Sequence, residues 1–275
     1  FLADLSPSST HTWLVLYGNP EAAPPEYETD MLVTGQEYAL TVENTFYRME
    51  LAPTTGHLKS VVFRQGAAEF SGYGPPMDPG IIGDGKHGVE GSVHWNPDWS
   101  DAHTGRYRVT NWLRPPHHTV IRGPVYTRVE RWGHPILGLG PCGKYQKVRA
   151  RVVYTFWASQ PYVIMESSLE VLEDVRFRDC RNDEWVGMGQ SMPQQAWMTA
   201  SGELGFGRNS WRGEDPAWMS FYNEVNGDAF ATLRLDYECT HPHFPAPASV
   251  AILDRSWVRY PVRNVIMRAG DVIRE

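Results

Sequence analysis

TVENTFYRMELAPTTGHLKSVVF, Thr41 to Phe63, is the stretch whose reading decides the fold. Tyr47, Met49 and Leu51 alternate with Phe46, Arg48 and Glu50. A period of two sends one set to a buried face and the other toward water, the pattern of a half-buried strand. Pro53 and Gly56 punctuate APTTGHL as a turn. Leu58–Phe63 then reads as the returning strand, and Glu37–Val42 as an earlier one joined to Phe46–Leu51 at Glu43-Asn44. Short strands with turn signals at this spacing predict an all-β sandwich or barrel with little helix.

The pattern continues downstream. Arg106–Trp112, Thr119–Arg122 and Val125–Trp132 are strand candidates, the last two separated by Gly123-Pro124. The strongest hairpin pairs Lys147–Trp157 with Tyr162–Val171 through Ala158-Ser159-Gln160-Pro161. Val148, Ala150, Val152, Tyr154 and Phe156 form its apolar face. The other face sets Arg149 and Arg151 near Glu166 and Glu170 as cross-strand pairs. That face is either solvated or the lining of a concave substrate groove. A second hairpin, Trp218–Asn223 with Phe230–Asp236, turns at Asn226-Gly227. Ser249–Leu253 and Val262–Met267 follow. Residues 179–207 show neither period.

The Thr41–Phe63 run resembles a motif of the galactose-mutarotase-like β-supersandwich superfamily, carried here by Glu43, Asn44, Phe46, Tyr47, Pro53, Gly56, Leu58 and Ser60. PPEYET (Pro24–Thr29) is similar to the Pro-rich lead-in of some glycosidase C-terminal domains, and RAGDVI (Arg268–Ile273) to their closing Gly-Asp turn. The resemblance implies an antiparallel β-supersandwich. Its members include aldose epimerases, polysaccharide lyases and non-catalytic domains of glycoside hydrolases, so fold alone does not choose an activity.

One domain over residues 1–275 is expected, with 1–34 as a lead-in holding the apolar run Trp13–Tyr17. The net charge of -7 argues against a nucleic-acid partner. With no apolar run of about eighteen residues, no membrane-spanning helix is expected. The chain opens at Phe1 without a basic n-region or an apolar h-region, so a removed signal peptide or a trimmed end is expected. A periplasmic or extracellular setting is compatible with this, and oligomeric state is left open. The strand opened by Gly270-Asp271 is expected to run on past Glu275. Cys142, Cys180 and Cys239 are too far apart for a C-x-x-C site. His241-Pro242-His243 could offer two imidazoles to zinc, but spacing supplies no third ligand, so neither metal nor cofactor is expected.

The functional expectation rests on HGVEGSVHWNPDWSDAHTGRYRVTNW, His87 to Trp112. Gly, Pro and Asp break any period over its first half, so it reads as a loop. Indole faces beside hydrogen-bonding side chains suit a sugar ring, and the 11 Trp and 13 Tyr of the chain agree. The expected partner is a saccharide, bound by Trp95, Asn96, Trp99, Trp112 and His118. The alternative is a structural loop whose indoles plug one end of the sandwich.

The expected chemistry is general acid–base removal of a proton from a sugar carbon, lyase-like on a uronate-containing glycan. Arg106 would neutralise the carboxylate. Tyr107 or His117 would be the base and His94 the acid. Glu224 would pair with a histidine in a mutarotase-like alternative, although the usual mutarotase histidine motifs are missing. A non-catalytic carbohydrate-binding or accessory domain is the other reading. Neighbours on a strand point to opposite faces, so only one of Arg106 and Tyr107, and one of His117 and His118, can enter a given groove.

Overall fold

The computed structural model describes residues 21, 26–64, 69–71, 92–94, 98–101, 105–137, 146–186, 192–207, 211–214, 216–225, 227–244, 248–252 and 256–275. These residues form strands and turns, with no helix among them. In chain order the strands are β1 (Leu32–Gln36), β2 (Ala39–Glu43), β3 (Tyr47–Leu51), β4 (Leu58–Phe63), β5 (Glu69–Ser71), β6 (Ser92–His94), β7 (Asp98–Asp101) and β8 (Gly105–Trp112). Then come β9 (His117–Arg122), β10 (Tyr126–Gly133), β11 (Pro135–Leu137), β12 (Val148–Trp157), β13 (Val163–Val171), β14 (Val175–Val186), β15 (Gln194–Met198) and β16 (Leu204–Gly207). The last are β17 (Trp211–Glu214), β18 (Trp218–Tyr222), β19 (Ala229–Leu233), β20 (Glu238–Cys239), β21 (Ala248–Ile252), β22 (Ser256–Tyr260), β23 (Arg263–Met267) and β24 (Val272–Arg274).

They build three sheets. The largest runs β1-β2-β3-β4-β5-β6-β14-β22-β21-β17, with β7, β8, β11 and β23 attached beside β14. A six-stranded sheet runs β20-β24-β13-β12-β10-β9, and a four-stranded sheet runs β16-β15-β18-β19. Pairing is antiparallel except for a single parallel bridge between β5 and β6. The core lies between sheets. It joins Leu40, Val42, Tyr47, Met49 and Val61 of the first, Val129, Val152, Tyr154, Phe156 and Leu169 of the second, and Met219, Phe221 and Phe230 of the third. The chain is therefore an antiparallel all-β sandwich.

Several expectations shift at their edges. The sheet begins at Leu32, not Glu37, because Gly35 (φ 98°) and Glu37 (φ 49°) carry the chain through a tight turn into β2. The stretch 87–112 is no continuous loop, since it contributes β6, β7 and β8 to the largest sheet. Residues 179–207 are strand-rich despite lacking a clear period. The long β14 pairs with β6 and β22 at one end and with β7 and β23 at the other, so both of its edges change partner along its length. Cys180 and Cys239 are free thiols, and Cys142 lies outside the described residues, as does Trp13–Tyr17.

Two polar devices lock the corner read from Thr41–Phe63. Asn44 is 4% exposed, and its side chain uses both ends. Its Oδ1 accepts from the backbone N–H of Phe46 (2.9 Å) and Tyr47 (3.0 Å). Its Nδ2 donates to the carbonyls of Trp157 (3.1 Å) and Gln160 (2.9 Å) in the β12–β13 hairpin. Beside it, the Asp30 carboxylate accepts from Thr45 N (3.0 Å) and Oγ1 (2.7 Å) and from Ser159 N (2.7 Å). The second device is Arg131, whose side chain is fully buried. Its Nη1 donates to the Thr55 carbonyl (2.6 Å), and its guanidinium lies 5.0 Å from the centre of the Tyr154 ring. Gly56 must be glycine here. Its φ is +65°, and a Cβ would sit 2.5 Å from Arg131 Cδ and 2.7 Å from Tyr38 Cδ2.

Removing the Asn44 amide leaves two part-buried carbonyls and two N–H groups without their partner. Asn44→Ala is expected to lower unfolding free energy by about 2–4 kcal/mol, read as a shift of the urea midpoint at constant slope. Burial raises the Asp30 carboxyl pKa, but the bonds from Thr45 and Ser159 outweigh it and hold it below the ordinary value of 3.8. A depressed folded-state pKa gives stability that is present above 3.8 and lost as pH falls through the folded value. The acid limb of the stability curve of Asp30→Asn should therefore be flatter than that of the wild type.

Candidate functional site

The six-stranded sheet carries the site, because its cross-strand register aligns side chains that are far apart in sequence. His117 pairs with Trp132, Trp132 with Arg151, Arg151 with Ser168, and Ser168 with Arg274. Directly paired residues share a face, so these five form one row over β9, β10, β12, β13 and β24. At about 4.8 Å per strand the row is roughly 19 Å long. It lies on the outward face. The inward neighbours Val129 and Arg131 are fully buried, whereas His117 and Arg274 are exposed.

At one end the row enters a recess of about 370 Å3 lined by Leu113, Arg114, Pro115, His117, Trp132, Gly133, His134, Gln146 and Arg149. His117 and Trp132 stack there, with ring centres 5.7 Å apart and planes at 25°. His134 Nδ1 lies 3.2 Å from the Val148 carbonyl. A carbonyl only accepts, so Nδ1 holds the proton and Nε2 is the atom left for a ligand. Arg149 is ion-paired with Glu170. Arg114 has no ion-pair partner among the described residues.

At the other end the row enters a groove of about 750 Å3 between β13 and β19. Tyr162, Ile164, Glu166, Ser168, Arg151 and Arg274 line one side, and Phe230 and Leu233 the other. Phe230 meets Phe63 edge-on at 5.8 Å. Between recess and groove runs an ion-pair layer: Arg151 to Glu130 (2.6 Å), Arg128 to Glu130 (2.9 Å) and Arg128 to Glu166 (3.5 Å). Burial raises the Glu130 carboxyl pKa, but Arg151 and then Arg128 outweigh it and hold the group below the usual carboxylate value. Of the expected cross-strand pairs, Arg149–Glu170 forms in register. Arg151 turns instead to Glu130 on β10, because Ser168 is its direct partner on β13.

Among the described residues, the side chains singled out from sequence do not gather in one place. His117 stands in the recess, while its neighbour His118 points the other way and meets Tyr38 edge-on at 5.0 Å. Tyr107 has no exposed area and belongs to the core. Trp112 is 7% exposed; its Nε1 donates to the Thr55 carbonyl (3.3 Å) and its ring packs over Gly133. Tyr107 is a core residue because β8 turns Tyr107 and Val109 inward, and Trp112, of opposite parity, is buried beyond the irregularity in the β8–β11 register. Glu224 is exposed in the turn between β18 and β19, on a different sheet from His117. Trp95 and Asn96 lie outside the described residues, as do the side chains of His94, Trp99 and Arg106. The rings of His241 and His243 are 5.4 Å apart, and no cluster of three potential metal ligands occurs among the described residues.

Trp132, His134 and Arg114 were missed from sequence. A signal existed for Trp132, which continues the outward set Arg128, Glu130 of its strand. None existed for the pairing that brings it beside His117.

No protein-family model matches the sequence, and no curated protein matches it. Solved structures similar to it include a protein in glycosyl hydrolase family 38 from Enterococcus faecalis, at 10% identity and a TM-score of 0.47, covering 92% of this chain. This chain spans 31% of that protein's length. A galactose 1-epimerase from Lactobacillus acidophilus is similar at 9% identity and a TM-score of 0.42, with 90% of this chain and 98% of that one covered. A galactose mutarotase-like protein from Clostridium acetobutylicum is similar at 9% identity and a TM-score of 0.37, with 90% and 99% covered. The likeness is one of overall shape. The sandwich itself rests on the strand register described above.

The placement of Trp112 separates stability from recognition. Trp112→Phe, which loses one hydrogen bond to the Thr55 carbonyl, should cost about 0.5–1.5 kcal/mol in thermal or urea unfolding. It should leave saccharide affinity in calorimetry unchanged.

Proposed function

We propose that this chain is a carbohydrate-binding β-domain that lays an extended saccharide along the row from His117 to Arg274. The observation that carries this reading is the continuity of the row, with a stacked ring pair in the recess, hydrogen-bonding side chains along its length and a half-apolar groove at its end. A sugar unit needs a flat apolar partner for its C–H face and fixed polar partners for its hydroxyls, and ligand sites generally combine the two. Arg114 gives the recess a cation whose forked donors match a carboxylate, which favours a uronate unit there. The family resemblance of the Thr41–Phe63 motif points to the same class of ligand. The solved structures similar in shape also include proteins named for sugar chemistry.

Catalysis is the second reading, favoured by one observation: His117, His134 and Arg114 line the same recess. Elimination on a uronate would then use His117 to take the C5 proton and Arg114 to neutralise the carboxylate, as the C4=C5 double bond forms, the C4–O bond breaks and the leaving oxygen takes a proton from water. Tyr107 does not serve as base in this scheme, because it is buried. A binding role needs no such base and accounts for the whole row, so it is the primary reading.

Calorimetry with neutral and uronate-containing oligosaccharides tests it. Trp132→Ala should weaken binding about tenfold, the scale of one aromatic contact of up to 1.5 kcal/mol. Arg114→Ala should weaken uronate binding while sparing neutral sugars. Absence of heat across such a panel with the wild type would sink the reading. Appearance of unsaturated uronate absorbance, abolished in His117→Ala, would promote the catalytic one.

A further inference from the structure

The four-stranded sheet turns an apolar face to water. Its register sorts the outer side chains into three cross-strand rows. The first holds Leu204, Met198, Trp218 and Leu233; the second Phe206, Ala196, Ser220 and Ala231; the third Gln194, Tyr222 and Ala229. The opposite side carries Trp197, Met219, Phe221 and Phe230, which pack on the core. On the outer side Leu204 is 55% exposed, Phe206 65% and Leu233 62%. None of these rows holds a charged residue. Ser220 Oγ donates to the Phe230 carbonyl (3.2 Å), so its polarity is used within the sheet.

The alternation in β16 explains which side received the bulk. Gly205 faces inward, where a Cβ would sit 2.2 Å from the Trp197 ring, so Leu204 and Phe206 are left to face outward. A contiguous apolar sheet face of this kind marks an interaction surface rather than ordinary exterior.

We infer that this face is the contact surface of a homodimer. The second copy is favoured by shape. The first row is a ridge of large side chains. The second, apart from Phe206 at its edge, is a trough floored by Ala196, Ser220 and Ala231. Adjacent rows are two residues apart along the strands, about 7 Å. A two-fold axis parallel to the rows and lying between two facing sheets sets each ridge over the other copy's trough, an isologous contact at the usual sheet spacing of about 10 Å. Area agrees. The exposed parts of these rows, with Leu235 (76% exposed) just beyond β19, amount to several hundred Å2, on the order of the roughly 800 Å2 per partner of a standard interface. Composition agrees too, since Trp, Tyr, Phe and Met are enriched and charges depleted at interface centres. A glycan fits less well, because the indole N–H of Trp218 is all that the ridge offers to sugar hydroxyls.

Sedimentation velocity of the full chain over a concentration series tests this. The wild type should approach twice the 31.2 kDa chain mass with rising concentration, and added salt should not reverse it, because the contact is apolar. Phe206→Glu, which puts a charge into the contact, and Ala231→Trp, which fills the trough without adding charge, should each sediment as single chains with unchanged circular dichroism. Both sites face solvent, and Ala231→Trp decides the matter should Phe206→Glu fail to fold. A wild type that stays at the mass of one chain overturns the proposal, as does a dimer that survives both substitutions.

Discussion

Asn44 is the constraint on which the arrangement of sheets depends. Four hydrogen bonds converge on one buried amide, two fixing the turn into β3 and two holding the β12–β13 hairpin of a different sheet. Only an amide offers an acceptor at one end and two donors at the other. A carboxylate would face the Trp157 and Gln160 carbonyls with no donor. Asp30 and Thr45 repeat the same bridge closer to solvent, again ending on Ser159 of that hairpin. The hydrophobic core presses the sheets together without direction. These bonds decide where on one sheet the other sits, and so where the outward row of β9, β10 and β12 faces.

Arg131 extends the clamp from the opposite side. A fully buried guanidinium is tolerated because the Thr55 carbonyl accepts from it and the Tyr154 ring lies against it. Burial pulls its pKa down, while Tyr154 and Tyr38 oppose the shift. The same Thr55 carbonyl accepts from Trp112. The turn after β3 is thereby pinned to β8 and β10 through one oxygen. Trp132, directly next to Arg131, is left facing outward into the recess.

The fold was legible where alternation is strict and one face is clearly apolar. The strands read over Phe46–Leu51, Leu58–Phe63 and the β12–β13 pair form to within a residue, Gly56 sits in the turn it was read to punctuate, and Asn44 stands at the joint before β3, whereas its bridge to a second sheet had no sign in the sequence. The site was far less legible. Tryptophan density over 87–112 pointed to a sugar wall, yet Trp112 and Tyr107 are core. An indole reads alike in a sequence whether it stacks on a ligand or on Gly133. The row from His117 to Arg274 draws on five strands, and nothing local encodes their mutual register. Only Arg149–Glu170, inside a single hairpin, could be paired in advance.

The two outward faces show why period alone cannot assign a surface. In β10, the outward set Arg128, Glu130 and Trp132 differs in polarity from Thr127 and Val129 on the inner face, although Arg131 on that inner face breaks the contrast. In β16, β18 and β19, both sets are apolar: Met219 and Phe221 against Trp218 and Tyr222, Phe230 against Ala229 and Leu233. Alternation then says which side chains travel together but not which set is inside. The choice falls to a steric detail, the room that Trp197 requires over Gly205. A strand apolar on both faces is the pattern of one covered on both faces. Among the described residues the inner set of the four-stranded sheet packs on the core, while the outer set is partly open. Leu204, Phe206 and Leu233 of its outer set carry the same apolar chemistry on an open face.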